Sequence, residues 1–282
     1  MYSSSTLGSM LRVCSRSTPF ILLVALVIPY SVLHSQEHDD DHYHEHAHLH
    51  FSHPLVTESP SPDTKIRFDY LTVRTSGATR ERGHEVRLEG EYAFTHSVSL
   101  AVVTPYVWRK NQVTPEVSGF GNVELSLKAA SLALAEHGIL LGGGITTALP
   151  TGSDSKEIGS SHLVEIESFL DAAYKRNALE LVGFATLSSN FRRRAGEESE
   201  RALTFDFSTL YRIQSRLEAL IEATTERALT GAESGSQQTF IAPGLKIYPF
   251  TNKQLMFGAS AEFGTGAASD TKLLLLSAFY HF

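Results

Sequence analysis

The chain has 282 residues, 42% of them hydrophobic and 20% charged, with a formal charge of −7 and one cysteine. An acidic chain of this kind is a poor candidate for nucleic acid, whose recognition asks for basic patches. The single Cys14 precedes the first apolar run, so it cannot be a lipid anchor, and a chain cleaved behind that run has no disulfide.

The first element reads as a secretory signal. Arg12 and Arg16 give a basic start, and the run from Phe20 to Tyr30 (FILLVALVIPY) has the length of an apolar signal core. That run is too short to span a bilayer as a helix. Cleavage is expected between Ser31 and Gln36, making 1–36 the signal; losing its two arginines takes the charge from −7 to about −9. Roughly 245 residues then remain, enough for one barrel or one large domain. They hold no apolar stretch of about 18 residues, so a membrane-embedded product has to be a closed barrel.

Residues 37–53 are crowded with histidine and acid, and 54–64 (PLVTESPSPDT) carries three prolines, the mark of an extended linker. With few apolar residues to order it, 37–64 is expected to be a disordered tail. Seven histidines, His38, His42, His44, His46, His48, His50 and His53, are interleaved with Asp39, Asp40, Asp41 and Glu45. Neutral imidazole suits zinc, copper, nickel and iron-group ions, and carboxylates can complete the shell. His-x-His spacing in a flexible chain lets two or three rings meet one ion. The seven are candidate ligands for exchangeable zinc, nickel, cobalt or copper, with no required cofactor implied. A thiolate zinc site is excluded. The plainer alternative is a solvated charged spacer.

From residue 65 onward the chain reads as twelve alternating segments: 65–74, 84–95, 97–109, 121–134, 138–149, 162–174, 178–191, 201–213, 216–230, 238–250, 254–265 and 271–282. Their lengths suit strands tilted across a bilayer. Connections after even-numbered segments are tight (Thr95-His96, Glu136-His137, Lys175-Arg176, Gln214-Ser215, Thr251-Asn252), and those after odd-numbered ones are mostly longer and polar. Outer-membrane barrels have short periplasmic turns and longer external loops. A soluble sandwich has no reason to alternate loop length so regularly. The expected fold is all-β, a transmembrane antiparallel β-barrel of about 12 strands over 65–282. Tyr92, Phe94, Tyr174, Tyr211, Tyr248, Phe250, Tyr280 and Phe282 near the short turns would form one aromatic girdle. Tyr106, Trp108, Phe120, Phe191 and Phe263 near the long loops would form the other. Pro105 and Pro243 each remove a ladder donor, so bulges or bends are expected there.

The last segment places Leu274, Leu276, Ala278, Tyr280 and Phe282 on one face and closes on phenylalanine. It resembles the assembly signal that bacterial outer-membrane barrels present to the barrel-assembly machinery. The segment from Gly119 to Lys128 (GFGNVELSLK), followed by the turn from Thr147 to Ser153 (TALPTGS), carries a second resemblance. It is similar to the barrel family named for the MetA pathway of phenol degradation, which has a G-x-G-[DN]-x-x-L-x-x-K strand start and a later L-P-T-G turn. The likeness continues through Ala242-Pro243-Gly244-Leu245 to the terminal strand, with Asn122 where aspartate is commoner. It implies an outer-membrane barrel linked to transport, with no catalytic residues and no agreed substrate. The His-rich tail lies outside the shared part.

Strand parity predicts an acidic interior. Asp69, Glu89, Glu91, Glu124, Glu165, Glu167, Asp171, Glu180, Asp206, Glu218, Glu222, Glu226 and Glu262 would face the lumen, against the bases Arg67, Arg87, Lys128 and Lys246. Carboxylate stripes concentrate cations at a pore, so Glu89, Glu91, Glu124, Glu165, Glu167, Asp206, Glu218 and Glu222 are candidate cation-attracting residues. The alternative is a paired, plugged and static interior. Arg80, Arg82, Arg192, Arg193, Arg194 and Arg201 cluster in or beside two external loops, where lipopolysaccharide phosphates are natural partners. Among histidines outside the tail, only His162, beside Ser160 and Ser161, suggests a nucleophile–base pair, and no phospholipase motif accompanies it.

The expectation is a non-enzymatic, monomeric barrel in the outer membrane of a Gram-negative bacterium, with its tail in the periplasm. The tail would capture divalent transition-metal ions and the acidic lumen would pass them. Alternatives are a non-conducting barrel anchoring a metal buffer and a channel for small aromatic or hydrophobic compounds.

Overall fold

The computed structural model describes residues 49–282 apart from 77–80, 112–115, 192–199 and 267. The expected signal, His38, His42, His44, His46 and His48, and Arg80, Arg192, Arg193 and Arg194 lie outside the described residues.

Thirteen strands build the wall: β1 (Lys65–Thr75), β2 (Glu81–Thr95), β3 (Val98–Asn111), β4 (Val117–Phe120), β5 (Glu124–Leu134), β6 (Ile139–Ala148), β7 (Val164–Arg176), β8 (Leu179–Phe191), β9 (Arg201–Gln214), β10 (Leu217–Thr230), β11 (Gln237–Ile247), β12 (Leu255–Gly266) and β13 (Thr271–His281). Neighbours pair antiparallel, and β1 pairs with β13 from Lys65↔His281 to Thr75↔Thr271, closing the sheet on itself. β4 meets the upper part of β3 and β5 the lower, so together they fill one place in a twelve-stave barrel. Closure leaves no open edge, which is what lets strands cross a lipid interior.

The expected segment 121–134 starts three residues late, at Glu124, and a short strand, β4, precedes it; Pro105 stands at the break. Its ring occupies the space opposite Gly121, where a Cβ would stand 3.0 Å from Pro105 Cγ. The strand leaves the ladder at Gly121 and re-enters at Glu124. Pro243 acts more mildly: the pairing of β11 with β12 skips from Ile241↔Phe263 to Gly244↔Ser260 without a change of register. The β11–β12 turn is longer than expected, since β11 ends at Ile247 and Pro249 cannot continue it. Tyr248 turns inward to donate to Glu218 Oε2 at 3.1 Å, so it does not join the girdle.

Alternation puts apolar side chains on the outside, with Phe68, Leu88, Leu170, Phe205, Ile221 and Leu245 all exposed. An apolar surface of this extent belongs in lipid. Tyr92, Phe94, Tyr211, Phe250, Tyr280 and Phe282 are exposed at the short-turn end, Phe120, Phe191 and Phe263 at the long-loop end. Leu274, Leu276, Tyr280 and Phe282 face outward on or just beyond β13, while Leu273, Leu275 and Phe279 face inward.

The two motifs behind the family resemblance fold into one unit at the long-loop end. Asn122 Oδ1 accepts from Gly152 N at 3.0 Å and Ser160 N at 2.9 Å, and Thr151 Oγ1 accepts from Val123 N at 2.8 Å. Gly159 has φ +65 and packs so closely that a Cβ would stand 2.5 Å from Asn122 Oδ1. Glycine is required there on both counts.

Candidate functional site

The largest departure from expectation is at residues 49–64. Read as tail and linker, they instead enter the lumen from the short-turn end, double back and leave into β1. Phe51, Leu55 and Thr57 are fully buried among inward-facing wall residues. The segment has no period to announce it, because it forms no strand; wall groups scattered over the sequence dock it one contact at a time.

Glu222 is the main dock. Its carboxylate, itself fully buried, accepts backbone N–H bonds from Leu55 (3.2 Å), Val56 (3.0 Å) and Thr57 (2.8 Å), and Ser208 Oγ donates to it at 3.1 Å. Three successive amides on one carboxylate satisfy donors that would otherwise be stranded away from water. Glu180 accepts from Ser52 N at 2.7 Å, Lys246 Nζ donates to His53 O at 2.8 Å, and Arg67 donates to Leu55 O. Leu55 rests on Gly258, where an added Cβ would lie 2.3 Å from Leu55 Cδ2.

The expected lumen acids face inward as parity required. Glu89, Glu91, Glu124, Asp206, Glu218 and Glu222 are buried, and Glu165 and Glu167 are half-buried on β7. Several are engaged: Lys65 bridges Glu89 at 2.9 Å and Glu91 at 2.7 Å, Lys128 reaches Glu91 at 3.2 Å, and Lys246 reaches Glu218 at 2.8 Å. Lys65 and Arg109, with the acids Glu81 and Glu85, are further buried inward charges that the parity reading left out. Lys65, Glu81 and Arg109 sit at or near strand ends, where alternation is weakest as a guide; Glu85 shares the parity of Glu89. The inner wall is not acidic throughout, for Leu71, Val73, Phe240, Leu273 and Leu275 form an apolar zone nearer the long-loop end.

Where the plug leaves the lumen, three imidazoles converge on one carboxylate oxygen. Asp63 Oδ2 lies 2.8 Å from His281 Nδ1, 3.0 Å from His53 Nε2 and 3.2 Å from His50 Nε2. His50 and His53 were candidate ligands from the sequence; Asp63 and His281, separated by 218 residues, were not. Lys65 Nζ stands 3.3 Å from His53 Nδ1. An ammonium only donates, so Nδ1 accepts and Nε2 carries the proton given to Asp63. Burial, and after it the Lys65 charge, holds His53 well below its ordinary 6.5. Burial raises the Asp63 carboxyl, but hydrogen bonds from His281, His50 and His53 outweigh it and keep it below the usual carboxylate range.

His162 and Ser160 do meet, at 3.2 Å, inside the long-loop unit. Ser160 Oγ donates to Asp154 Oδ1 at 2.8 Å, and His162 Nδ1 lies 2.9 Å from Asp154 Oδ2. The hydroxyl proton is committed to the carboxylate, which makes the trio a loop clasp.

No protein-family model matches the chain, and no curated protein matches it significantly. Solved structures do. An outer-membrane channel from Pseudomonas putida F1 is similar at TM-score 0.58 and 13% identity, over 78% of this chain and 96% of that one. The NanC porin is similar at TM-score 0.53 and 9% identity, over 76% of this chain and 100% of that one. The KdgM porin in complex with oligogalacturonate gives 0.51 and 10%, over 77% and 99%. At such identities the likeness establishes the fold. It is an outer-membrane barrel fold.

Proposed function

We propose that the protein is an outer-membrane channel for divalent transition-metal cations, closed in this conformation by residues 49–64. The observation that carries the reading is the inner wall: buried carboxylates outnumber buried bases, and the plug answers part of the excess with backbone N–H groups. Withdrawing the plug removes those donors and leaves a lumen with more carboxylates than bases, the arrangement that attracts cations. The histidine-rich tail, held in the periplasm by a chain whose ends lie on the short-turn side, would concentrate the ions beside the plug. Partners on this reading are membrane lipids, lipopolysaccharide at exposed arginines on the strand ends beside the long loops, such as Arg82 and Arg201, and the assembly machinery that reads the terminal strand.

The test is conductance and reversal potential of the refolded mature protein in a planar bilayer, with and without micromolar zinc or nickel. Cation-selective current altered by metal supports the reading. Silence from folded protein, with the plug absent as well as present, would leave a barrel that anchors a metal buffer. A second reading, a route for small hydrophobic compounds, would run along the apolar zone of Leu71, Val73, Phe240, Leu273 and Leu275. Uptake of such a compound by liposomes that pass no cation would select it.

A further inference from the structure

Among the described residues, His50, His53 and Asp63 are the one group of three histidine, cysteine or acid side chains whose ligand atoms all lie within 4.8 Å of one another. His281, the last residue of β13, adds a third imidazole 2.8 Å from the same Asp63 oxygen. We propose that His50, His53, Asp63 and His281 bind one divalent transition-metal cation, and that the ion ties the plug to the C-terminal strand. The proposal takes from the functional reading above only the class of ion.

The donor set is three imidazole nitrogens and one carboxylate, which suits zinc and its neighbours and suits calcium or magnesium poorly. In a tetrahedral site with bonds of about 2.0–2.1 Å, ligand atoms stand roughly 3.3 Å apart. The nitrogen-to-Oδ2 separations of 2.8, 3.0 and 3.2 Å already fall near that spacing. Within His50, His53 and Asp63 the separations run up to 4.8 Å, which closes with about 1.5 Å of side-chain movement, and His281 joins through its contact with Asp63. His50 is half exposed, so its ring can follow.

Proton positions decide which ligands come easily. His50 would bind through Nε2 and His281 through Nδ1, each moving its proton to the opposite nitrogen, which faces away from Asp63. His53 is the demanding ligand. Binding through Nε2 puts its proton on Nδ1, opposite the Lys65 ammonium, so Lys65 has to turn fully onto Glu89 and Glu91. Both carboxylates already hold it, at 2.9 and 2.7 Å. The surroundings favour a cation: Glu91 accepts from Asp63 N at 3.3 Å, and Phe279 closes one side against His53 at 5.7 Å between ring centroids. Lys175, which donates to His50 O at 2.7 Å, is offset by Glu180 at 2.8 Å.

A metal here would act as a clasp. Its ligands come from both ends of the plug (His50 and His53 going in, Asp63 coming out) and from the wall. Binding therefore stabilises the closed lumen over the open one by mass action.

The experiment uses the full mature chain with His38, His42, His44, His46 and His48 replaced by alanine, stripped with chelator and titrated with Co²⁺, followed by visible absorption. One equivalent per chain with a tetrahedral spectrum is expected. Adding His50→Ala, at a half-exposed ring that leaves the barrel intact, or Asp63→Asn should weaken it at least tenfold. In the same five-alanine protein, Zn²⁺ should lower the open probability, and His50→Ala should remove that response. No bound Co²⁺ in the folded five-alanine protein would overturn the site. Saturable binding without metal flux through the open barrel would instead overturn the channel reading and leave the clasp standing.

Discussion

At the scale of one residue, Glu222 is where a single atom group decides the state of the lumen. Hydrogen bonds to a charged acceptor contribute about 1.5–3 kcal/mol and neutral ones about 0.5–1.5. Glu222→Gln keeps the shape, gives up the charge and costs the docked plug on the order of 1–2 kcal/mol, a factor of about 5–30 in occupancy. Single-channel recordings should then show open probability raised by that factor, with heat-modifiable gel mobility unchanged. Gly258→Val reaches the same end by sterics. The added Cβ alone would stand 2.3 Å from Leu55 Cδ2, and Leu55 is fully buried with nowhere to retreat. Current no higher than wild type from folded Gly258→Val would mean that Leu55 does not seat the plug.

At the scale of elements, the staves were readable and the plug was not, for one physical reason. A strand with lipid on one side and a filled lumen on the other imposes a period of two, as the outward Leu274 and Leu276 against the inward Leu273 and Leu275 illustrate. Residues 49–64 obey no period, because Glu222, Gly258, Lys246 and Arg67 hold them from four strands. The candidate site divides along the same line. Its acids follow from parity and His50 and His53 from composition, whereas Asp63 and His281 become neighbours only when β1 pairs with β13. Asn122 and the L-P-T-G turn were legible as motifs, but their contact needed the fold. In that unit Asp154 clasps Ser160, Ser161 and His162. Slight burial raises its pKa, but those hydrogen bonds outweigh it and hold the group below its ordinary 3.8. A carboxyl with a depressed folded pKa contributes stability above its unfolded value and loses it as pH falls through the folded one. The clasp should therefore hold from neutral pH to below about 4. Asp154→Asn should open it at every pH, read as faster tryptic cleavage after the exposed Lys156, with the barrel intact.

For the whole molecule, the question is whether the wall stands without its plug. The bases that touch the plug keep partners of their own: Lys65 has Glu89 and Glu91, Arg67 has Asp69 at 2.7 Å, and Lys246 has Glu218. The closed ring of antiparallel pairs, β1 to β13 included, uses no residue before Lys65. Removing 37–64 should consequently leave a folded, heat-modifiable barrel while taking Phe51 and Leu55 and the donors to Glu222 out of the lumen. What remains inside is a wall richer in carboxylates than in bases, in a narrow, low-dielectric bore that focuses its field. Planar-bilayer recordings under a salt gradient should give a steady current, larger than that of the full chain. Its reversal potential should lie on the cation side, and the selectivity should weaken as ionic strength rises. An anion-side or zero potential from the shortened protein would mean that the buried acids are neutralised within the wall itself. The plug would then be filling space in a lumen whose charge is already spent.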